Sequence, residues 1–354
     1  MKRYSGQRDF LCDGPLSGLK NNTGIWHGFV LLLIAIGSLV SYYPAKAALS
    51  AVPPLDGKVI CIDPGHGGTA ATDSYRVGPS GEREEWVNLR VALVLSEMLE
   101  EAGATVVLTR TDDTFVPLED RSRMARKSHA DIFVSIHHNA TADPTVNFPI
   151  VYFHGSALEN PASVNFGKIV AERLRNALFE NQGPFSLVSD YTIFSNSGAS
   201  VLRGTYGIPG IIAEASFFTH PGEERRLKRE KYNRLEARAY FDAIAAFFSA
   251  PVPEIRPKKE PGEIPPFEVF QEAERMRPEA LQWKSNYERG KALLESGSED
   301  ELDSAYHLLT LSVRSFPDSY LAGDCHRLRA SVLEKQGKAA DVRIVERRLR
   351  AFYP

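Results

Sequence analysis

Between residues 57 and 250, short apolar runs alternate with segments whose apolar residues recur at helical spacing. The apolar runs predict strands at 57–62, 105–109, 131–137, 149–154 and 211–218. The helical spacing predicts helices at 84–102, 117–128, 161–181 and 230–249. Strands that alternate with helices predict an α/β fold, with a mainly parallel or mixed sheet covered by helices on both faces.

The pattern changes after residue 250. A proline-rich stretch over 251–266, PVPEIRPKKEPGEIPP, is typical of a linker. Residues 267–354 predict a small all-α C-terminal domain, and we expect the linker to let it fold separately from a catalytic domain over 51–250. An aromatic-proline pair recurs there after about 37 residues, which resembles tetratricopeptide helix hairpins, although a plain helical bundle explains it as well. By analogy, such helices would dock a partner or activator protein.

The amino-terminal 50 residues contain an apolar run from Phe29 to Val40. Basic residues precede this run, and Ala45-Lys46-Ala47 follows it, which is the pattern of a secretory signal peptide. The run is short for a membrane span, which needs about 20 residues. We expect cleavage near Ala47, with an uncleaved membrane anchor as the alternative. Either interpretation places the rest of the chain in the periplasm or cell envelope.

Composition narrows the possible partners and metal sites. The net charge is −3, and we find no basic block interleaved with aromatic residues, which argues against a nucleic-acid partner. The three cysteines, Cys12, Cys61 and Cys325, are far apart in the sequence. They predict neither a disulfide framework nor a cysteine-based zinc site.

The stretch over 59–68, VICIDPGHGG, places a histidine directly after a buried strand. Asp63-Pro64-Gly65 ends the strand with turn residues, and glycines flank His66 on both sides. Ligands bind at the carboxyl ends of strands in open α/β sheets, so His66 is a candidate site residue. The alternative is a glycine-rich turn with an exposed histidine.

Three further residues complete a candidate metal site. Glu84 begins the first long helix, and His137 ends the strand DIFVSIH at the same edge as His66 if the two strands are parallel. Two histidines and one glutamate are a common ligand set for catalytic zinc. Glu214 ends the apolar run IIAE of another strand, where a buried carboxylate needs a partner. Near a metal, Glu214 would be the general base that takes a proton from water.

Alternatives remain open at each of these positions. Glu82 and Glu85 are rivals to Glu84, which could also be only a helix-start carboxylate. His138 is a rival to His137, although alternation in a strand sends the two side chains to opposite sides. Glu214 could instead be a core carboxylate that is held by an arginine, either Arg203 or Arg110.

Several ordered motifs over about 57–250 resemble the zinc-dependent N-acetylmuramoyl-L-alanine amidases of the amidase-3 family. The motifs are DPGHGG (63–68), GEREEWVNL (81–89), TRTDD (109–113), LEDR (118–121), SIHHNA (135–140), VLR (201–203) and IPGIIAEASF (208–217). The resemblance implies zinc ligands His66, Glu84 and His137 and a catalytic Glu214. It favours Glu84 because the family pattern places this glutamate five residues before Leu89.

The same resemblance implies a peptidoglycan substrate. The reaction would hydrolyse the amide between N-acetylmuramic acid and the L-alanine of the stem peptide, in cell-wall remodelling or daughter-cell separation. Arg203 would hold a substrate carboxylate or stabilise Glu214, with a structural salt bridge as the alternative. Three places depart from the family pattern: Ser216 replaces a usual glycine, His220 replaces a usual asparagine, and residues 184–198 match poorly.

Two other functions fit the same residues. One is a cell-wall or partner-binding protein on this fold that has lost activity. The other is a different zinc hydrolase, such as a peptidase or deacetylase. The sequence contains no HExxH motif, which disfavours the common metallopeptidase type.

Overall fold

The computed structural model describes residues 55–68, 76–194, 197–258, 264–275 and 277–354. The predicted signal or anchor segment therefore lies outside the described residues. From residue 55 onward the chain forms one compact unit. Within the described ranges, no helix combines the length and apolar character that a membrane span requires.

The centre of the fold is a six-stranded mixed sheet, as the sequence predicts. Its strands are β1 (Val59–Pro64), β2 (Thr105–Leu108), β3 (Ile132–Asn139), β4 (Ile150–Phe153), β5 (Ser186–Ser189) and β6 (Gly210–Phe217). The order across the sheet is β2-β1-β3-β6-β4-β5. The first four of these are mutually parallel, whereas β4 runs antiparallel to β6 and parallel to β5. The carboxyl ends of β1, β3 and β6 therefore meet at one edge, and those of β4 and β5 lie at the opposite edge.

Eleven α-helices lie within the described ranges. Six belong to the region predicted as the catalytic domain: α1 (Glu84–Glu101), α2 (Leu118–Lys127), α3 (Pro161–Leu178), α4 (Ser200–Gly204), α5 (Pro221–Leu227) and α6 (Glu230–Phe248). Five follow the predicted linker: α7 (Glu272–Arg275), α8 (Trp283–Ser296), α9 (Leu302–Ser315), α10 (Ala322–Lys335) and α11 (Ala339–Phe352).

Alternation along the strands sends neighbouring residues to two separate cores. Ile60, Ile62 and Val134 contribute to a core with α1, α3 and α6. Cys61 and Phe133 point to the other face, where they share a core with α2, α4 and residues of the C-terminal helical region. Helices thus cover both faces of the sheet, and the α/β fold class is confirmed.

The C-terminal helical region packs directly on the second face of the sheet. Phe316 lies 5.9 Å from Phe148 and 6.2 Å from Phe217, measured between ring centroids. Asp318 is fully buried and accepts hydrogen bonds from the hydroxyl of Tyr152 on β4 and from Arg275. These contacts give the helical region and the sheet a common core, which the proline-rich linker did not indicate.

The predicted helices and strands agree closely with the structure. Their ends differ by at most three residues, and the largest difference is at the end of α3. Three short elements, β5, α4 and α5, have no signal in the apolar pattern and were not predicted. β5 lies within residues 184–198, the segment that matches the family pattern poorly.

Candidate metal centre and active site

His66 is held in an uncommon backbone conformation at the end of β1. Its φ is +60°, and Gly67 and Gly68 also have positive φ, so the chain turns sharply at this point. A Cβ at Gly65 would lie 2.2 Å from the ring of His137, so only glycine allows this approach. The ring centroids of His66 and His137 consequently lie 4.7 Å apart.

Two buried arginines fix the loop that carries His66. Arg110 donates to the carbonyl oxygens of Pro64 and Gly65, each at 2.8 Å. Arg121 donates to the carbonyl of Pro64 at 2.9 Å and also to that of His66. These arginines belong to the TRTDD and LEDR motifs; the sequence offered Arg110 only as an alternative partner of Glu214 and gave Arg121 no role. The structure indicates that they position the His66 loop.

The Glu84 carboxylate lies between the two histidines. Its Oε2 is 3.1 Å from His66 Nε2, and its Oε1 is 3.0 Å from His137 Nδ1. Potential ligand atoms of the three residues all lie within 4.8 Å of one another. The structure therefore brings together the three residues that the sequence analysis proposed as zinc ligands.

The rival carboxylates have other partners. Glu82 forms an ion pair with Arg90 at 3.1 Å, and Glu85 forms one with Arg83 at 2.6 Å. No described contact joins either glutamate to His66 or His137. Glu84 is thus the glutamate that the fold directs to the two histidines.

His138 lies on the opposite side of β3 and helps to position Glu84. Its Nε2 is 3.1 Å from the buried carboxylate of Glu236 on α6, and its Nδ1 is 2.8 Å from Asn88 Oδ1. Asn88 then donates to Glu84 Oε1 at 3.2 Å and to the carbonyl of Gly65 at 3.3 Å. Hydrogen bonds of this kind orient metal-binding side chains. Asn88 lies in the GEREEWVNL motif between Glu84 and Leu89, so this motif is the sequence signal for these hydrogen bonds.

Glu214 lies next to His137 because the two residues are register partners between β3 and β6. Its Oε2 is buried and has no hydrogen-bond partner among the described residues. Buried carboxylate oxygens normally have a partner, so this atom indicates a place for water or substrate. Neither Arg203 nor Arg110 forms an ion pair with Glu214 within the described part of the chain.

The two carboxylates of the site differ in pKa. Burial raises the pKa of Glu214 to about 7, and the charge of Glu84 adds to this effect, while His137 and His138 oppose it. Burial acts in the same direction on Glu84, but the charge of His66 and the hydrogen bond from His137 outweigh it and hold its pKa well below the usual range. Glu84 is therefore ionised at neutral pH, as a metal ligand must be.

The structure does not bring Arg203 to this cluster. Arg203 is exposed on α4, which precedes β6, and its Nη1 donates to the carbonyls of Ser197 and Gly198 at 2.9 and 3.1 Å. Gly198 lies beside His154, just after the carboxyl end of β4. Arg203 thus lies at the sheet edge opposite the histidines, and the geometry does not support the expectation that it stabilises Glu214. Its binding of a substrate carboxylate stays a prediction.

One departure from the family pattern has a structural explanation. His220 precedes α5, and its Nδ1 accepts hydrogen bonds from the backbone N–H groups of Gly222 and Glu223, each at 3.1 Å. An asparagine at a helix N-terminus accepts the same kind of bond, so histidine replaces its capping function here. Ser216 is fully buried, and nothing in its surroundings explains the exchange.

The sequence profile of the family described as N-acetylmuramoyl-L-alanine amidase matches residues 60–246, which contain all four residues of the cluster. This match covers more than half of the chain. The chain belongs to this amidase family.

Curated relatives agree with this assignment. N-acetylmuramoyl-L-alanine amidase AmiA of Salmonella typhimurium is 29% identical over 223 residues, covering 54% of this chain and 76% of the relative. Probable cell wall amidase LytH of Staphylococcus aureus is 30% identical over 197 residues, covering 56% and 60%, respectively. Among solved structures, AmiC2 of Nostoc punctiforme is 28% identical and covers 55% of this chain and 98% of that chain, with a TM-score of 0.47.

Family membership establishes the reaction. The protein is a peptidoglycan amidase, which hydrolyses the amide bond between N-acetylmuramic acid and the L-alanine of the stem peptide. The expectations for fold, family and enzyme class are confirmed.

Proposed function

We propose that this amidase is a zinc enzyme, with His66, Glu84 and His137 as ligands and Glu214 as the general base. The observation that carries the proposal is the position of the Glu84 carboxylate, about 3 Å from each histidine, beside a buried and unpartnered oxygen of Glu214. Two imidazole nitrogens and one carboxylate suit zinc, and three protein ligands leave one position for water.

The side chains have separate roles in the reaction. A bound zinc ion would polarise the scissile carbonyl and make an attacking water more acidic. Glu214 takes the proton from this water and later donates it to the nitrogen of the leaving L-alanine. Asn88 and His138 keep the Glu84 carboxylate oriented between the two histidines.

We also propose that the enzyme acts outside the cytoplasm, in the periplasm or cell envelope. The predicted signal or anchor segment over 29–47 and the cell-wall substrate support this location. In this setting the enzyme would serve cell-wall remodelling or daughter-cell separation, and the C-terminal helices would offer a surface to a partner or activator protein.

Digestion of purified peptidoglycan tests this function. Residues 51–354 are incubated with peptidoglycan in the presence and absence of a chelator, and the products are identified by mass spectrometry. We expect intact stem peptides with a free L-alanine amine, no release after chelation, and recovery with added zinc. Shortened peptides would identify a peptidase and released acetate a deacetylase, and unchanged release in chelator would contradict the zinc proposal.

A further inference from the structure

Three large apolar side chains are exposed around the loop that carries His66. Trp86 in the first turn of α1 is 39% exposed, Phe115 in the loop after β2 is 66% exposed, and Leu118 at the start of α2 is 53% exposed. Together we call them the platform. Clustered exposed apolar side chains mark binding surfaces.

Two members of the platform, Trp86 and Phe115, are joined to the loop that carries His66. The indole N–H of Trp86 donates to Asp113 Oδ2 at 3.2 Å, and Oδ1 of the same carboxylate accepts from the backbone N–H of Gly68 at 2.9 Å. Phe115 packs so closely on Gly68 that a Cβ there would lie 2.9 Å from the Phe115 Cβ. The Trp86 indole is held by its hydrogen bond to Asp113 before binding, so it loses little conformational freedom when a ligand arrives.

The charge around the platform favours one part of the substrate. Exposed Asp112 and Glu119 flank Phe115 and Leu118, so the surface is both apolar and acidic. A stem peptide ends in a carboxylate, which this surface would repel. The glycan strand is neutral where its muramic carboxyls are amidated, and the C–H faces of its sugar rings can stack on aromatic rings.

The position of the platform agrees with this preference. The loop with Phe115 follows β2, whereas Glu214 lies on β6, and the strands with the two histidines separate β2 from β6. The platform therefore flanks the candidate metal site on the side away from the general base. A glycan strand bound there continues from the muramic acid whose amide is cleaved.

We propose that Trp86, Phe115 and Leu118 bind sugars of the glycan strand next to the muramic acid that is cleaved. The proposal rests on the amidase reaction. It names three residues that would make the enzyme prefer polymeric substrate. It makes the enzyme dependent on glycan length, since a single sugar at the metal site does not reach the platform.

Kinetics on two substrates test the proposal. For Phe115→Ala we expect the KM for long-chain peptidoglycan to rise about tenfold with little change in kcat, because one stacking contact is lost. On a muramyl peptide with a single sugar we expect a change of less than about twofold. Leu118→Ala and Trp86→Phe should show smaller effects in the same direction.

Phe194→Ala is the matched control, because Phe194 is 50% exposed and follows β5 at the opposite sheet edge. Peptide-free glycan strands whose muramic carboxyls have been converted to simple amides, and which are therefore neutral, should inhibit the wild type and fail to inhibit Phe115→Ala. Equal losses on both substrates, an unchanged KM for long chains, or an equally large effect of Phe194→Ala would overturn the proposal. Metal content and turnover of the single-sugar substrate are also measured for the wild type. If the wild type holds no zinc or does not cleave the single-sugar substrate, the zinc proposal fails, and this result is distinct from a failure of the platform proposal.

Discussion

Arg121 Nη1 donates a hydrogen bond of 2.8 Å to Asp63 Oδ1, and both side chains are buried at the end of β1. The hydroxyls of Thr109 and Ser135 donate to the same carboxylate at 2.6 and 2.7 Å. Burial alone would raise the pKa of Asp63, but the Arg121 charge and these hydrogen bonds outweigh it and lower the pKa. The pair joins α2 to the strand that ends at the His66 loop, so it contributes to stability close to the active site.

Replacement of the Asp63 carboxylate should destabilise the protein strongly. We expect Asp63→Asn to lower the free energy of unfolding by about 3–5 kcal/mol at pH 7, because the Arg121 charge is left buried and unpaired. The pKa of Asp63 is lower in the folded protein, so its contribution is complete above the unfolded pKa of about 3.9 and is lost as the pH falls through the folded value.

Denaturant titrations at several pH values check this prediction. The difference in the free energy of unfolding between wild type and Asp63→Asn should be largest at pH 7 and should decrease in acid. Asp242→Asn is the control, since Asp242 pairs with Arg238 at 2.9 Å on the surface, and such pairs contribute about 0–1 kcal/mol. A loss of unfolding free energy as small as that of Asp242→Asn would show that the buried pair contributes little to stability.

The asparagine next to Glu84 should influence metal binding without being a ligand. Asn88→Ala removes the amide that donates to Glu84 Oε1, so we expect zinc affinity to fall about 10–100-fold. A competition titration against a zinc-binding dye measures the affinity. Asn176→Ala, on the exposed face of α3, should leave the affinity unchanged. Wild-type affinity in Asn88→Ala would argue that the Glu84 carboxylate needs no hydrogen bond from Asn88 to bind zinc.

The sequence predicts the local structure better than the long-range packing. The periodicity of apolar residues locates β1, β3 and β6, and the turn after β1 marks His66, because these signals depend on neighbours along the chain. β5 has only four residues, two of them serines, and gives no comparable signal. The contact of Asp318 with Tyr152 joins residues 166 positions apart and depends on how the helical region packs, which no local pattern records.

The proposed zinc ligands and Arg203 illustrate the same difference between local structure and long-range packing. Glu84 and His137 follow from their places at a helix start and a strand end, and the structure brings both to His66. Arg203 is near Glu214 in sequence, but α4 and the turn after it place it at the other edge of the sheet. Proximity in sequence is therefore a poor guide to proximity in space where the chain crosses from one edge of the sheet to the other.

The C-terminal helical region should unfold together with the sheet. Phe316 is 4% exposed and packs against Phe148, Phe217 and Trp283. We expect Phe316→Ala to lower the free energy of unfolding by about 3–5 kcal/mol and to keep a single transition. Thermal unfolding followed by calorimetry and by loss of activity checks this. Two separate unfolding transitions, with activity lost only in the transition whose midpoint Phe316→Ala leaves unchanged, would instead support independently folding domains.

The position of Arg203 predicts a small kinetic effect. Because the side chain is exposed at the edge opposite the histidines, we expect Arg203→Ala to keep its zinc and to change kcat and KM for peptidoglycan by less than about twofold. Steady-state kinetics with metal analysis decide the matter. A large rise in KM at normal metal content would instead establish that Arg203 binds a substrate carboxylate.

The central claim is that three residues hold zinc while Glu214 transfers protons, and one paired measurement tests it most directly. Zinc content and release of stem peptides are measured for wild type, His137→Ala and Glu214→Gln. We predict that His137→Ala loses both, whereas Glu214→Gln keeps close to one zinc per chain and loses turnover by a factor of about 100 or more. Near-normal turnover in Glu214→Gln, or full zinc content and activity in His137→Ala, would contradict the account.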